Sequence, residues 1–406
     1  MLLEREESDD VHQGRIRRIL DKLEEARRRK LSCFGSDSHH FRLGRPISED
    51  EVGAFEIAHG VSLPDGYRAF LLHAGHGSAE RGGSRVMGGA GPYYGLIGLE
   101  EWDGFASFFF DDDRVPEDFL ARPCMLHPGV NEGLEPAKAF EGTLTLGTQG
   151  CSYFMQLIVS GPCRGRVVYA DADGLNSPYV VRDPDFLSWY ERWLDELIGG
   201  YETSWFGYGP AGGETELFAV LHDPHSGEQL RNEAKANLRR LPRLSAQGAA
   251  QVLTWLDQPS PDVRTDACAT VGRFAIQDGE RRVSELLGDT DPGVRTAAIR
   301  ALMKTAPNRW ADTIRAMLRS ETDPDAVGAA FYTLKNAGKH SRVDLLDILR
   351  SSIPGDARGL AAYCLEWRKE DGDLAVRLSG DPDPEVRRYA TFALRDLGRE
   401  GSEPSA

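Results

Sequence analysis

The chain has 406 residues, more than one ordinary hydrophobic core accommodates, so we expect two domains. Its 64 acidic and 48 basic side chains give a net charge of −16. This excess argues against nucleic acid as the main ligand, because a duplex-binding surface needs basic side chains, and it favours a basic partner.

Signals for membrane insertion, export and disulfide formation are weak in this sequence. No apolar run approaches the roughly 20 residues that a membrane-spanning helix needs. The first residues contain no apolar segment of the kind found in signal peptides. The six cysteines are scattered, without a C-x-x-C pair. We therefore expect a cytoplasmic protein with reduced thiols and no membrane partner.

The first predicted element is a helix from Val11 to Leu31. Acidic residues precede it, and a basic cluster, residues 27–30, ends it, which suits the helix dipole. The cluster could mark a nucleic-acid patch, but in an acidic chain a solvated helix end is the simpler interpretation. We assign residues 1–39 to an N-terminal helical extension.

Two short helices follow between residues 46 and 77. Ser48 and Glu51 have the spacing of a capping box, which predicts the start of the first helix, and Gly60 predicts its end. Pro64 predicts the start of the second helix, because the first helical turn does not need its N–H group. The second helix would bury a stripe formed by Tyr67, Phe70, Leu71 and Ala74.

Strand signals dominate the next part of the chain. The glycine-rich segment 77–92 follows a helix and precedes a predicted strand at 93–99, which is the wrong context for a phosphate-binding loop. Further strands are predicted at 143–146, 151–159, 166–170 and 179–181, and a helix rich in aromatic residues follows Asp183 and Pro184. Helices, antiparallel strands and a closing helix predict an α+β domain.

These motifs together resemble the SUKH superfamily, the Smi/Knr-type domains. The resemblance rests on H-G-V at 59–61, on L-P-x-x-Y-R-x-F-L-L at 63–72, and on G-x-V-x-Y at 165–169. It implies helices on an antiparallel sheet, and we place this domain at residues 40–205. It also implies a non-enzymatic binding protein, most often a bacterial immunity protein that occludes a cognate toxin. A regulatory protein-interaction scaffold, as fungal relatives are thought to be, is the alternative.

The second half of the chain repeats with a period of 29 to 33 residues. The aligned positions are Leu230, Val263, Val294, Ala326, Ala357 and Val386. Alanine recurs four residues later, and arginine follows the aligned position in every unit except the fourth, which has Val327. This pattern predicts stacked helix pairs and resembles HEAT-like repeats. We assign 206–216 to a linker, 217–399 to an all-α helical-repeat solenoid and 400–406 to a disordered tail.

One candidate binding surface is an aromatic row in the last three repeats. Its members lie six residues after the aligned positions and are Tyr332, Tyr363 and Phe392. Exposed aromatics would form a partner groove, because aromatic residues carry much of the energy of protein interfaces. The alternative is packing between neighbouring repeats, which contact only each other.

The second candidate surface is an acidic and aromatic segment from Glu100 to Asp118. Its proposed partner-binding residues are Glu100, Glu101, Trp102, Asp103, Asp111, Asp112 and Asp113. The acids would speed the encounter with a basic toxin such as a nuclease, and the aromatics would hold it. In the alternative interpretation, the aromatics enter the domain core and the acids are merely solvated.

No catalytic set is recognisable, so we predict neither an enzyme nor a cofactor. The close histidine pairs are His39–His40, His73–His76 and His222–His225. Zinc needs three or four ligands, and no other acidic or thiol side chain completes a site near the second pair. We expect surface or capping roles for all three pairs.

Overall fold

The computed structural model describes residues 2–78, 88–103, 115–133, 140–318, 320–350 and 355–400. The chain forms two compact units, residues 1–242 and 243–406. Within the described ranges, no helix is both long and apolar enough to cross a membrane. The segment 401–406, predicted to be a disordered tail, lies outside these ranges.

The first unit is an α+β domain, as predicted. Its helices are α1 (Leu2–Arg28), α2 (Glu49–His59), α3 (Asp65–His73), α4 (Phe186–Gly199), α5 (Glu214–His222) and α6 (Glu228–Leu238). Its strands are β1 (Gly129–Val130), β2 (Thr143–Gly150), β3 (Tyr153–Ile158), β4 (Val167–Asp171) and β5 (Tyr179–Val180). They form one sheet in the order β1-β5-β4-β3-β2, in which all neighbouring strands are antiparallel.

Local capping determines the ends of the two short helices. The Ser48 hydroxyl accepts the Glu51 N–H, and the Glu51 carboxylate accepts the Ser48 N–H, so the predicted capping box is present. Gly60 ends α2 in the left-handed conformation, with φ of 64°. Helix α3 begins directly after Pro64. These boundaries follow from residues next to the helix ends, which is why the sequence predicts them.

The strand predicted at 93–99 is not formed. Tyr93 and Gly95 both have positive φ, 56° and 89°, so the backbone turns there. A single bridge joins Gly89 to Leu96, and residues Leu99–Glu101 form one turn of 3-10 helix. Of the apolar side chains that suggested a strand, Tyr94 is exposed, and the others are buried although they do not form a regular strand; these are Tyr93, Leu96, Ile97 and Leu99.

Helix α4 is the centre of the core of the first unit. Trp189, Tyr190 and Trp193 are at most 1% exposed, and the Trp189 indole donates to the Tyr169 hydroxyl on β4 at 2.9 Å. Helix α1 begins earlier than predicted, at Leu2, and packs on α4. Ion pairs from α1 to Glu191 involve Arg18 at 2.8 Å and Lys22 at 2.9 Å. The N-terminal extension is therefore part of this unit's packing.

The second unit is helical throughout its described residues. Its helices are α7 (Ala246–Trp255), α8 (Pro261–Phe274), α9 (Gly279–Glu285), α10 (Pro292–Thr305), α11 (Pro307–Leu318), α12 (Pro324–Asn336), α13 (Arg342–Arg350), α14 (Gly355–Cys364), α15 (Gly372–Leu378) and α16 (Pro384–Glu400). The recurring alanines are at most 2% exposed at Ala267, Ala298, Ala330, Ala361 and Ala390. Buried alanines permit close helix packing, which confirms the predicted repeat architecture.

Candidate functional site

The described part of the acidic segment, residues 100–103 and 115–118, carries five exposed carboxylates, two of which belong to Glu117 and Asp118. Glu100, Glu101 and Asp103 are exposed, and the Glu101 carboxylate accepts the Gly98 N–H at 2.9 Å. The Glu100 carboxylate lies 3.0 Å from Nε2 of the buried His76. Sequence analysis missed this partner of His76 because the contact joins residues far apart in the chain. Asp111, Asp112 and Asp113 lie outside the described residues.

Trp102 belongs to the core and not to the exposed surface. Its side chain is 7% exposed and meets the rings of Phe55 and His59 edge-on, at centroid distances of 6.3 and 5.1 Å. The aromatic anchor predicted at this position is therefore turned inward, because the indole fills space next to α2. A partner arriving here would meet the carboxylates of Glu100, Glu101 and Asp103.

The aromatic row of the second unit is open to solvent. Tyr332 is 48% exposed, Tyr363 63% and Phe392 48%, on helices α12, α14 and α16 respectively. The Tyr363 ring also contacts Tyr389, with the ring centroids 5.2 Å apart. Packing between repeats buries none of the three side chains completely, so the row has the exposure that a binding surface requires.

The segment between α4 and α5 packs against the sheet of the first unit. Phe206 is fully buried, and its backbone carbonyl accepts the Tyr93 hydroxyl at 2.9 Å. Tyr208 packs against Tyr169 and Tyr179 of the sheet, at centroid distances of 4.9 and 5.0 Å. Burial raises the pKa of Tyr208 to about 12, so its hydroxyl is neutral at physiological pH.

A buried ion network fixes this segment and α6 to α4. Arg192 on α4 pairs with Asp183 at 3.0 Å and with Glu196 at 2.6 Å. Glu196 also pairs with Arg240, which follows α6, and both guanidinium groups lie over the Phe206 ring. The α5–α6 pair, predicted as the first repeat, is consequently part of the first compact unit.

A cleft of about 860 Å³ lies where the sheet, the connecting segment and α6 meet. The sheet contributes tyrosines including Tyr153, the connecting segment contributes Trp205 and Tyr208, and α6 contributes a polar wall that includes Glu228 and Asn232. Trp205 is 68% exposed. Among the described residues that line this cleft there is no lysine or arginine, and its walls combine aromatic surface with carboxylate and amide groups.

The three carboxylates of the cleft have different roles. Asp171 stabilises the β4–β5 turn by accepting from Ser152 at 2.7 Å and from Asn176 at 2.9 Å. Glu233 pairs with Arg182. Glu228 is exposed in the first turn of α6, and no cation in the described part of the chain lies within ion-pair distance of it. Glu228 is therefore the carboxylate available to a ligand.

Comparison with protein families gives two matches along the chain. Residues 46–192 match the SMI1/KNR4 family (SUKH-1), and residues 249–335 match HEAT repeats. The chain contains a SUKH domain followed by HEAT repeats. A comparison with curated proteins gave no match. The two families support a protein-interaction role.

The cleft extends beyond the matched part of the SUKH domain. Its sheet residues fall within the match, whereas Trp205, Tyr208 and the residues of α6 lie between the SUKH and HEAT matches. The part of the chain that matches the SUKH family therefore contains only the sheet wall of the cleft. Three aromatics among the glycines of this segment, at 205, 206 and 208, are the sequence signal by which such docking can be recognised.

In the part of the chain that the structure describes, no group of three or more His, Cys, Asp or Glu side chains is arranged to hold a metal ion. The cleft and the aromatic row expose Trp205, Tyr332, Tyr363 and Phe392, and aromatic residues are enriched at sites that bind other proteins.

Proposed function

We propose that this protein is a bacterial immunity protein that binds a cognate toxin in the cytoplasm and blocks the toxin's active site without catalysis. The observation that carries the proposal is the distribution of charge. Residues 1–242 contain 39 acidic and 25 basic side chains, whereas residues 243–406 contain 25 and 23. The acidic excess is therefore concentrated in the unit that contains the SUKH domain.

A basic toxin, such as a nuclease, is the partner that this charge favours. Opposite charges on two proteins accelerate their encounter and discriminate against wrong partners. The exposed Glu100, Glu101 and Asp103, together with Asp111 to Asp113, would form the acidic rim that first meets the toxin. Because a nuclease active site must be accessible to nucleic acid, a protein bound over it would inhibit by steric occlusion.

The experiment pairs this protein, one at a time, with the basic toxin domains encoded by genes next to its own. We expect co-expression to protect bacterial cells, and the purified proteins to form a stoichiometric complex in which nuclease activity is lost. Complex formation should weaken as salt rises, because the encounter is electrostatic. Absence of both complex formation at low salt and protection of cells would contradict the proposal.

The acidic rim is tested by replacing Asp111, Asp112 and Asp113 together with asparagine. We expect slower association with the toxin and a flatter dependence of the association rate on salt. The control removes three exposed carboxylates elsewhere in the same unit, by Asp21→Asn, Glu24→Gln and Asp50→Asn. If the two triple variants associate equally fast, this segment is not the place of first contact.

A regulatory scaffold is the second candidate, favoured by the exposed aromatic row of the HEAT repeats. Tyr332, Tyr363 and Phe392 present apolar surface on three successive helix pairs. A scaffold would use this row for a further partner in addition to any partner of the SUKH domain. Replacing all three residues with alanine tests the scaffold function. The triple variant should no longer bind the further partner, whereas it should neutralise the toxin as the unaltered protein does.

A further inference from the structure

Trp205 is an aromatic residue of the first unit that packing leaves largely exposed. Phe206 is fully buried and Tyr208 is partly buried between sheet tyrosines, so both contribute to docking of the connecting segment. Trp205 remains 68% exposed at the mouth of the cleft, and its ring contacts Tyr208 at a centroid distance of 6.1 Å. Its exposed indole therefore provides a flat surface for a ligand.

The walls around Trp205 combine a second apolar surface with hydrogen-bonding groups. Leu175, in the β4–β5 turn, is 82% exposed and lines the same cleft. Tyr153 stands beside it, with its hydroxyl accepting from Asn176 at 2.6 Å. On the other side, α6 presents Asn232. Apolar walls with a few fixed polar groups are typical of sites that bind a short extended segment.

The charge of the cleft selects a cation. Glu228 lies in the lining without a cationic partner among the described residues, and none of those residues that line the cleft is lysine or arginine. The surrounding unit has 39 acidic against 25 basic side chains, so the long-range field also attracts positive charge. A guanidinium over the Trp205 indole could reach a carboxylate at the same time, because arginine combines a flat stacking face with hydrogen-bond donors.

We propose that this cleft binds an arginine- or lysine-bearing loop of the protein partner, with the basic side chain stacked on Trp205 and paired with Glu228. The assignment rests on the proposed function only in taking a basic protein as the partner. It places the holding contact in the cleft, whose described lining does not include Glu100, Glu101 or Asp103. Tryptophan, tyrosine and arginine are the residues most enriched at interface hot spots, and the cleft supplies the first two.

The probe is a displayed library of random 12-residue peptides, selected against the full-length protein. We expect the selected peptides to be enriched in arginine and lysine relative to the unselected library. Synthetic copies should change the fluorescence of Trp205, and replacing their arginines with citrulline, which removes the charge at nearly constant shape, should abolish binding.

Two variants locate the binding in the cleft. Trp205→Ala and Glu228→Gln should each weaken the selected peptides about tenfold, the effect of losing a partly desolvated cation–π or charge contact. Ile57→Ala and Glu24→Gln are matched controls, since Ile57 is 83% exposed and Glu24 is exposed on α1. Both controls should bind the peptides as the unaltered protein does.

Three outcomes would overturn the proposal. The first is a selection that yields no binder or only neutral and acidic peptides. The second is binding that the two cleft variants leave unchanged. The third is quenching of Trp205 by oligosaccharides and not by basic peptides, because aromatic and amide groups also suit sugars.

The cleft and the toxin hypothesis can fail separately. Basic peptides that bind in the cleft, without any protection of cells, would leave the cleft assignment standing and remove the immunity function. A neutralising complex whose affinity is unchanged by Trp205→Ala and Glu228→Gln would support the immunity function and contradict the cleft assignment.

Discussion

His39 shows how a single buried residue can make this protein sensitive to acid. Its side chain is 5% exposed, Nδ1 accepts the Phe41 N–H at 3.0 Å, and the ring meets Trp193 edge-on at a centroid distance of 6.0 Å. Burial lowers the pKa of His39 to about 4. The imidazole is therefore neutral in the folded protein at pH values where an exposed histidine is charged.

We expect the free energy of unfolding of the SUKH-containing unit to fall as pH decreases from about 6.5 to about 4. In this range the unfolded chain binds a proton at His39 and the folded chain does not, so protonation favours unfolding. At its full extent the effect of His39 is about 3 kcal/mol. His39→Asn should flatten the dependence of stability on pH, because an asparagine side chain binds no proton in this range. The fold should tolerate the change, because the amide oxygen can still accept the Phe41 N–H.

The measurement is urea unfolding of the full chain at several pH values. His225→Asn is the control, since His225 is exposed in the turn before α6. The explanation is wrong if His39→Asn and the control give the same slope of stability against pH.

The burial of His39 could not be predicted from the sequence. The pair His39–His40 has no apolar periodicity around it, so a surface or capping role was the simplest expectation. Its environment comes from Trp193 on α4, which only the tertiary fold brings near. Likewise, Glu100 is the partner of His76 through a turn whose backbone the sequence misassigned as a strand.

Among the HEAT repeats, the recurring arginine has a structural role that explains its position. Arg264 donates to the carbonyls of Gln258 and Pro259, both at 2.8 Å, and pairs with Asp289 at 2.9 Å in the next turn. Arg295 makes the equivalent contact with Glu321 at 2.7 Å. Each arginine thus links two successive repeats, so its recurrence reflects stability of the solenoid.

Arg264→Met should lower the free energy of unfolding of the repeat unit by about 2 kcal/mol. It leaves a mostly buried Asp289 carboxylate without its cation and removes a donor from two carbonyls. Burial disfavours ionisation of Asp289, but hydrogen bonds from Arg264 and from the Asp291 N–H outweigh it and lower the pKa of Asp289. The stabilisation should therefore be lost as pH falls through that lowered pKa.

The matched control is Arg281→Met, which removes an exposed pair with Glu285. Such pairs contribute at most about 0.5 kcal/mol, so thermal unfolding of this variant should be nearly unchanged. Equal destabilisation by the two substitutions would show that the link between repeats stabilises the unit no more than an exposed ion pair does.

The aromatic row should contribute little to folding, in contrast to its buried neighbours on the same helices. Tyr332→Ala removes a half-exposed ring and should change the free energy of unfolding by less than about 1 kcal/mol. Leu334→Ala, two residues later on α12, empties a fully buried site and should cost about 2–5 kcal/mol. Chemical denaturation of both variants distinguishes a binding surface from core packing, because comparable losses would assign Tyr332 to the core.

At the level of elements, the sequence predicted what neighbouring residues determine. The caps of α2 and the period of the repeats are local signals, and the structure confirms both. Strand β1 has only two residues, Gly129 and Val130, and forms because β5 offers it an edge. The acidic partners of the repeat arginines were likewise not predicted, since they lie in the following repeat.

The whole molecule is divided after Pro242, and buried charge explains why α5 and α6 belong to the first unit. Arg240 pairs with Glu196, which is 7% exposed, and donates to the Glu202 carbonyl at 2.8 Å. Asn237 donates to the Pro210 carbonyl at 2.7 Å. Without Arg240, the buried carboxylates of Asp183 and Glu196 would share Arg192, which destabilises a fold, so Arg240 makes the α5–α6 pair part of the structural unit.

We expect a fragment of residues 1–242 to fold cooperatively by itself and a fragment of residues 1–205 to be much less stable. The shorter fragment lacks Phe206, which is fully buried, and Arg240, which neutralises Glu196. It therefore loses the aromatic ring that completes the core and leaves the carboxylates of Asp183 and Glu196 to share Arg192, and each change costs about 3–5 kcal/mol. Together these losses approach the whole stability of an ordinary domain, which is about 5–15 kcal/mol.

Circular dichroism and urea unfolding of the two purified fragments provide the measurement. A third fragment, residues 1–242 with Arg240→Met, separates the contacts of Arg240 from the burial of Phe206, because it retains Phe206 and loses the guanidinium beside Glu196 and the Glu202 carbonyl. Its stability should lie between those of the other two. If residues 1–205 unfold at the same urea concentration as residues 1–242, then α5 and α6 contribute nothing to the SUKH-containing unit, and the boundary lies at the linker that the sequence suggested.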